Sequence, residues 1–264
     1  MKVIGSVLSF IMIVLSVQAK SIHLKQNTIL DKNILESYTT FIVDDGLDLQ
    51  GALIRLPFKS TLSFTAKGSI HNGRIVGNYS LIKAESRLIF DNVTIEGNWR
   101  NTKVYSKWFY LDNGQKSNNY IFAQLMQLCS GKQLTHFYMQ KGTYYVSAIH
   151  RSAPILVPSN VYWHNEATIK MLPTDLEWYN IVLLNKSNNV TIDGGMFIGD
   201  VEKHKGQTGE WGHGIKCGGA TNVVIKNLIC SHCWGDGIDL IEGIDKHQKP
   251  TINCNNVTVE HVKC

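Results

Sequence analysis

Beyond its first twenty residues the chain has no apolar run long enough to cross a membrane as a helix, which argues against a helical membrane protein. Clustered Lys and Arg are also missing. The 26 basic and 21 acidic residues give a formal charge of +5, spread without the basic run that marks a nucleic-acid patch. No second Cys/His pair at zinc spacing completes Cys230-Ser-His-Cys233, so that stretch does not read as a metal centre. No dense acidic cluster of the kind that binds Ca²⁺ is visible either. Proline is scarce, at five residues against 22 glycines, and only one segment has a convincing amphipathic helical pattern.

What is present begins with an address. Lys2 is a short basic start, Val3–Val17 is almost wholly apolar, and Val17-Gln18-Ala19 supplies small residues before a cleavage point. Residues 1–19 are therefore expected to be a signal peptide, and the mature chain to be secreted or periplasmic, without membrane insertion. No Cys near that point offers a lipid anchor. Losing Lys2 leaves a charge of about +4, mildly suited to an acidic partner. In an exported chain the six cysteines (129, 217, 230, 233, 254, 264) could form disulfides, but they read better as small buried thiols in a repetitive core.

The repeats carry the architecture. "NVTIEG" from Asn92, "NVTIDGGMF" from Asn189, "NVVIKNLIC" from Asn222 and "NVTVEHVKC" from Asn256 are short β-branched alternations, each preceded by Asn. That Asn is expected to accept a turn conformation and to bond its own backbone. Three of the five Asn-x-Ser/Thr matches (Asn92, Asn189, Asn256, beside Asn78 and Asn185) belong to this pattern and read as structural. The strands recur after 33 and 34 residues, whereas "WGHGIKC" at Trp211 and "WGDGIDL" at Trp234 recur after 23. The difference matches polar inserts at about 199–208 and 242–251. A coil of about 23 residues with loops on one side predicts parallel strands stacked in register, with Val190, Ile192, Val223, Ile225, Val257 and Val259 in the core. His213 and Asp236 then become vertical neighbours.

Ile121–Leu128 has helical spacing and is expected to cap an open strand edge. Residues 20–115 alternate like strands with Gly/Asn turns and are expected to form a small β-rich domain. Residues 111–119 read as the linker, and 116–264 as the repetitive unit.

The helix, "KGTYYVS", "PSNVYWHNEATIKM" and "EWGHGIKCGGATNVVIKNLICSHCWGDGIDL" together resemble the pectin-lyase-like right-handed parallel β-helix superfamily, in the branch related to the polygalacturonases (glycoside hydrolase family 28). The resemblance covers Asn118–Cys264 well and the first third loosely. It implies an all-β solenoid and activity on a polysaccharide. "GDGID" places Asp236 on the aspartate of that family's first motif, with Trp234-Gly235 where the family has Asn-Thr. "GHG" at Gly212–Gly214 falls one coil earlier than in the family, and neither Gly-Asp-Asp nor Arg-Ile-Lys occurs. Cys264 matches Cys230 of the previous coil, so the next Trp-Gly frame would begin near position 268, and the β-helix is expected to be incomplete at its C-terminal end.

Glycoside hydrolysis uses two carboxyl groups about the scissile bond. Asp236 and Asp239 are the best pair, ahead of Asp193 and Glu210, and His213 beneath Asp236 could share its proton. An odd sequence separation predicts that Asp236 and Asp239 face opposite sides of a strand unless a bend intervenes. Trp211 and Trp234 are candidate sugar platforms, with Glu210 and Lys216 as further substrate contacts. The bland alternatives are a turn-capping Asp236 and a Gly-x-Gly frame supplying positive φ. No cofactor is needed for hydrolysis. A lyase of the same fold would use Ca²⁺ with Lys216 or Lys226 as base, and a tailspike-like β-helix would bind glycan without cleaving it.

Overall fold

The computed structural model describes residues 20–24, 36–243, 249 and 251–264. The expected signal peptide lies outside these residues, as does most of the second insert. The first strands are β1 (Ser21–Leu24), β2 (Thr40–Val43), β3 (Gly46–Asp48), β4 (Leu53–Arg55), β5 (Thr61–Phe64), β6 (Ser69–Lys83), β7 (Phe90–Trp99) and β8 (Lys103–Tyr105). One helix follows, α1 (Asn119–Cys129), and then β9 (Thr135–Val146), β10 (Ile155–Leu156), β11 (Val161–Met171), β12 (Trp178–Asn185) and β13 (Asn188–Asp193). The last are β14 (Met196–Ile198), β15 (Trp211–Gly218), β16 (Thr221–Lys226), β17 (Ile229–Ser231), β18 (Ile238–Ile241) and β19 (Asn255–Glu260). The protein is predominantly β, and the strands pair in parallel throughout the described residues.

The pairing follows the sequence repeat. Val161, Val190, Val223 and Val257 lie side by side on β11, β13, β16 and β19, as do Trp163, Ile192, Ile225 and Val259. Parallel neighbours sit about 4.8 Å apart, so each branched side chain packs on its equivalent. Val190, Ile192, Val223 and Ile225 are fully buried, as expected, and Val257 is half-buried. Val259 departs from expectation and is exposed, because β19 has β16 on one side and no strand on the other among the described residues. The same stacking orders the outer face, where the rings of Tyr138, His164 and Tyr162 lie 4.6 and 4.3 Å apart.

The recurring asparagines work differently from the sequence expectation. Asn92, Asn189, Asn222 and Asn256 all adopt left-handed backbone, with φ of 53, 59, 53 and 53°. Their side chains bond the neighbouring repeat and not their own backbone. Asn256 Nδ2 donates to Asn222 Oδ1 at 2.7 Å, Asn222 Nδ2 to Asn188 Oδ1 at 2.9 Å, and Asn189 Nδ2 to Asn160 Oδ1 at 3.0 Å. At strand spacing, one amide reaches the next more readily than it bends back.

Helix α1 closes a sheet edge, though inside the molecule. It lies against β7, whose other side pairs with β6, and also contacts β9 and β10. Gln124 Oε1 accepts from Ile95 N–H at 2.6 Å, and Gln127 Nε2 donates to the Gly97 carbonyl at 2.7 Å. Two side-chain amides thus satisfy backbone groups that a further strand would have paired. Phe122, Leu125 and Leu128 face inward, and one buried cluster runs from Leu24 to Cys230 across the whole described chain.

The asparagine ladder is testable. Asn222→Ala removes one amide from the middle of the ladder and leaves at positive φ a residue that, unlike Asn, has no polar side chain to favour that backbone. It should destabilise the protein by about 2 kcal/mol in urea denaturation, and Asn222→Gly, free at that φ, by clearly less. Equal losses for the two variants would mean that backbone strain contributes nothing.

Candidate functional site

The sheet β10–β12–β15–β18 positions most of the candidate residues. Its inward rows are apolar: Ile155, Val182, Ile215 and Ile238 stack in register. The intervening outward row reads Leu156, Leu183, Lys216, Asp239. Two further pairs in register place Trp178 beside Trp211 and the buried Asn180 beside the buried His213.

The chain then turns before β18, and the turn is bonded directly onto β15. Gly214 N–H donates to the Asp236 carbonyl at 3.0 Å, Ile215 N–H to that of Gly237 at 2.9 Å, and Gly235 N–H to that of Gly212 at 2.8 Å. His213 and Asp236 are thereby vertical neighbours. None of the four glycines in the two Trp-Gly-x-Gly frames has positive φ. They are needed for close approach instead: a Cβ on Gly214 would sit 2.6 Å from the Gly237 carbonyl oxygen, and one on Gly212 2.5 Å from the Tyr179 ring.

Asp236 and Asp239 do not face opposite sides, because a bend of the kind that exempts them from strand parity intervenes. β18 starts only at Ile238, so alternation does not run through the turn. Both carboxylates reach one imidazole: Asp236 Oδ2 lies 3.5 Å from His213 Nδ1, and Asp239 Oδ2 lies 3.5 Å from His213 Nε2. Nδ1 accepts the Asp236 backbone N–H at 3.0 Å, which leaves the ring proton on Nε2, directed towards Asp239. Lys216 Nζ holds Asp239 at 2.7 Å. Exposure separates the roles: the Asp236 side chain is 70% exposed, those of Asp239 and Lys216 are 14% and 9% exposed, and that of His213 only 4%. His213 is thus a buried neighbour of the carboxylates. Burial lowers its pKa from the ordinary 6.5, Asp239 and Asp236 oppose that shift, and Lys216 adds to it.

Beside this cluster lies an open cleft of about 840 Å³, and Lys216 belongs to both. Its ammonium stands 5.2 Å from the centre of the Trp178 ring, and the Arg151 guanidinium 5.0 Å from the same ring. Asn180 also lines the cleft; its Nδ2 donates to the Ser152 carbonyl, while its buried Oδ1 accepts nothing from the protein. Of the candidate catalytic and substrate-binding residues read from the sequence, only Lys216 lines this cleft. Trp178, Asn180 and Arg151 were not singled out. A signal for Trp178 was available, since Glu177-Trp178 precedes Glu210-Trp211 by the same 33 residues as the strand repeat.

The two proposed sugar platforms differ. Trp211 is exposed, as is Glu210. Trp234 is half-buried: its ring stacks on His204 at 4.1 Å, and its Nε1 is buried. His204 comes from the first insert, which folds inward. Its Nδ1 lies 3.1 Å from Asp200 Oδ2, with both side chains buried, and Asp200 also accepts from the Tyr179 hydroxyl and from Thr174 N–H. Burial, with the Asp200 carboxylate adding to it, pushes the Tyr179 hydroxyl well up. This cluster fixes Trp234 and with it the turn that carries Asp236.

The cysteines are unpaired, and burial pushes the Cys230 thiol up. His232 lies 3.3 Å from Glu202. No group of three or more His, Cys, Asp or Glu that could hold a metal ion occurs among the described residues.

The chain is 30% identical over 142 residues to the uncharacterized protein YclG of Bacillus subtilis (strain 168), and 36% identical over 93 residues to the SPbeta prophage-derived uncharacterized protein YorA of the same organism. These matches take in 48% and 32% of this chain but only 24% and 16% of the two relatives. The chain therefore spans a quarter or less of either relative. No family model matches the chain, and no solved structure does.

The lowered His213 pKa predicts a pH dependence of stability. The unfolded histidine, near 6.5, binds its proton before the folded one does, so this contribution is complete above pH 6.5 and is lost as pH falls through the lower folded value. His213→Asn keeps an acceptor near Nδ1 without the titration, and should flatten the melting temperature against pH below 6.5. An unchanged slope would place the acid sensitivity elsewhere.

Proposed function

We propose that this is an exported, polysaccharide-active right-handed parallel β-helix that cleaves glycosidic bonds of an acidic polysaccharide. The fold reading is supported by parallel pairing throughout and by rows of equivalent residues at repeat spacing. The catalytic reading rests above all on one arrangement. An exposed carboxylate, Asp236, stands across a buried imidazole from a second carboxylate, Asp239, beside a cleft lined by cations. Asp236 is the group open to substrate and acts as the acid or base at the scissile bond. Asp239, tied to Lys216, supplies the second carboxylate. His213 is a positioning residue: it accepts the Asp236 backbone N–H and buffers the charge between the two acids. Arg151, Lys186 and Lys216 outnumber Glu242 around the cleft, which suits an anionic chain.

Hydrolysis is preferred to elimination because the best-placed lysine, Lys216, is occupied by Asp239 and half-enclosed by Trp178, so it is poorly free to remove a proton. A second reading, a glycan-binding module without cleavage, draws on the prophage origin in the name of one relative. On that reading the same cleft recognises a surface polysaccharide.

The test is incubation with polygalacturonate and with alginate, scoring new reducing ends for hydrolysis and the ultraviolet absorbance of unsaturated ends for elimination. Asp236→Asn should lower turnover by about 10²-fold or more with little change in melting temperature, since an exposed carboxylate contributes little to the core. His213→Ala should cost less and shift the pH profile. If Asp236→Asn melts the protein and spares activity or binding, Asp236 is a turn cap and the catalytic reading fails.

A further inference from the structure

The cleft has a chemical grain that an anionic sugar chain alone does not account for. Along its floor the outward row is apolar at one end and charged at the other: Leu156 and Leu183 precede Lys216 and Asp239 in register. Leu156 is 53% exposed, and Pro158 extends the apolar ledge beside it. An outward leucine on a sheet is ordinary by itself. Here, though, the ledge borders a cleft that also holds polar and charged groups without a partner among the described residues. Arg151 stands on Trp178, ready for an anion, and the buried Asn180 Oδ1 has no donor among those residues. A buried acceptor left without a hydrogen bond is costly, and a ligand hydroxyl would satisfy it.

We infer that the occupant is an O-acylated acidic polysaccharide, with its acyl group on the Leu156–Leu183 ledge. Its carboxylate meets Arg151, and a ring hydroxyl donates to Asn180 Oδ1. This rests on the proposed reading of the cleft as a polysaccharide site and adds the substituent that the site selects. Strand spacing sets the geometry. Rows step by about 4.8 Å, close to the length of one sugar residue, so the acyl-bearing unit sits one to two units from the Lys216–Asp239 pair. The acyl methyl leaves water against two leucines, which favours the acylated chain, while Arg151 holds either form.

The experiment measures binding of the Asp236→Asn protein, in which turnover is suppressed, to polygalacturonate and to the same polymer chemically O-acetylated. Affinity electrophoresis at fixed ionic strength gives the ratio of the two affinities. The acetylated form should bind about tenfold more tightly, the discrimination expected of one small apolar group in an apolar seat. Leu156→Ser should bring that ratio close to one, whereas Asn180→Leu should weaken both forms together and leave the ratio standing. Equal binding of the two polymers by the unmodified ledge, or a preference that survives Leu156→Ser, overturns the acyl seat while leaving the polysaccharide reading intact. Binding of neither polymer overturns that reading and the inference with it. Displacement by a long-chain fatty acid, without any polymer binding, would assign the ledge to a lipid and equally overturn it.

Discussion

Everything in this protein depends on the lateral spacing of parallel strands. Once equivalent residues of successive repeats are held about 4.8 Å apart in register, each side chain must tolerate its counterpart as its nearest neighbour. Branched apolar residues do so by packing, which yields the valine and isoleucine rows. Asparagine does so by linking amide to amide. Charges cannot repeat, and they do not: the outward row His164, Asp193, Lys226, Glu260 changes character at every step, and Lys216 meets Asp239 in the same way. Glycine lies against glycine where the bend at 235–237 meets β15. The difference between His213 and Asp236 within otherwise matching frames follows from the same rule, since two carboxylates at that distance would repel and a neutral imidazole does not.

The repetition was legible in the sequence because its cause is local and periodic. The Asn-Val-x-Val/Ile segments revealed the strands, the difference between 23 and 33 residues revealed the first insert, and the pairing of His213 with Asp236 followed from the count. What the sequence concealed was geometry that breaks the period. Strand parity failed between Asp236 and Asp239 because a turn occupies Gly235–Gly237, and nothing in the residue types marks where extended backbone resumes. Trp234 resembled Trp211 in its frame. Its half-burial involves His204, thirty residues earlier, inside a segment that reads only as polar. Trp178 was missed for the opposite reason: the Glu-Trp pair is repeated, but Tyr179-Asn180 stands in place of Gly212-His213, and the eye follows glycines.

The candidate site shows how a regular sheet produces an irregular surface. The floor row comes from β10, β12, β15 and β18 and the pair Asn180 and His213 from β12 and β15, while the exposed carboxylate and its brace come from segments that leave the ladder. The first insert supplies Asp200 and His204 as a buried brace, and the turn at 235–237 supplies the exposed carboxylate. Regularity gives placement to within a strand spacing, and the departures from it decide which atoms meet. Two layers of control are visible at Asp236: its backbone is fixed from below by His213, and its turn is fixed from behind by Trp234 against His204.

Helix α1 has an implication of another kind. Where strand meets strand, backbone hydrogen bonds carry alignment from one repeat to the next, so a slip anywhere would travel along the sheet. At the junction between β7 and the later strands the connection runs through Gln124 and Gln127, whose side chains rotate about several bonds and impose no register. The helix is therefore a local phase break: along Ile95–Gly97 strand and helix share a core without a backbone ladder, and alignment passes instead through the pairing of β8 with β9 beside it. A fault of register in β7 at that point meets side chains that can adjust, not another strand that must follow it.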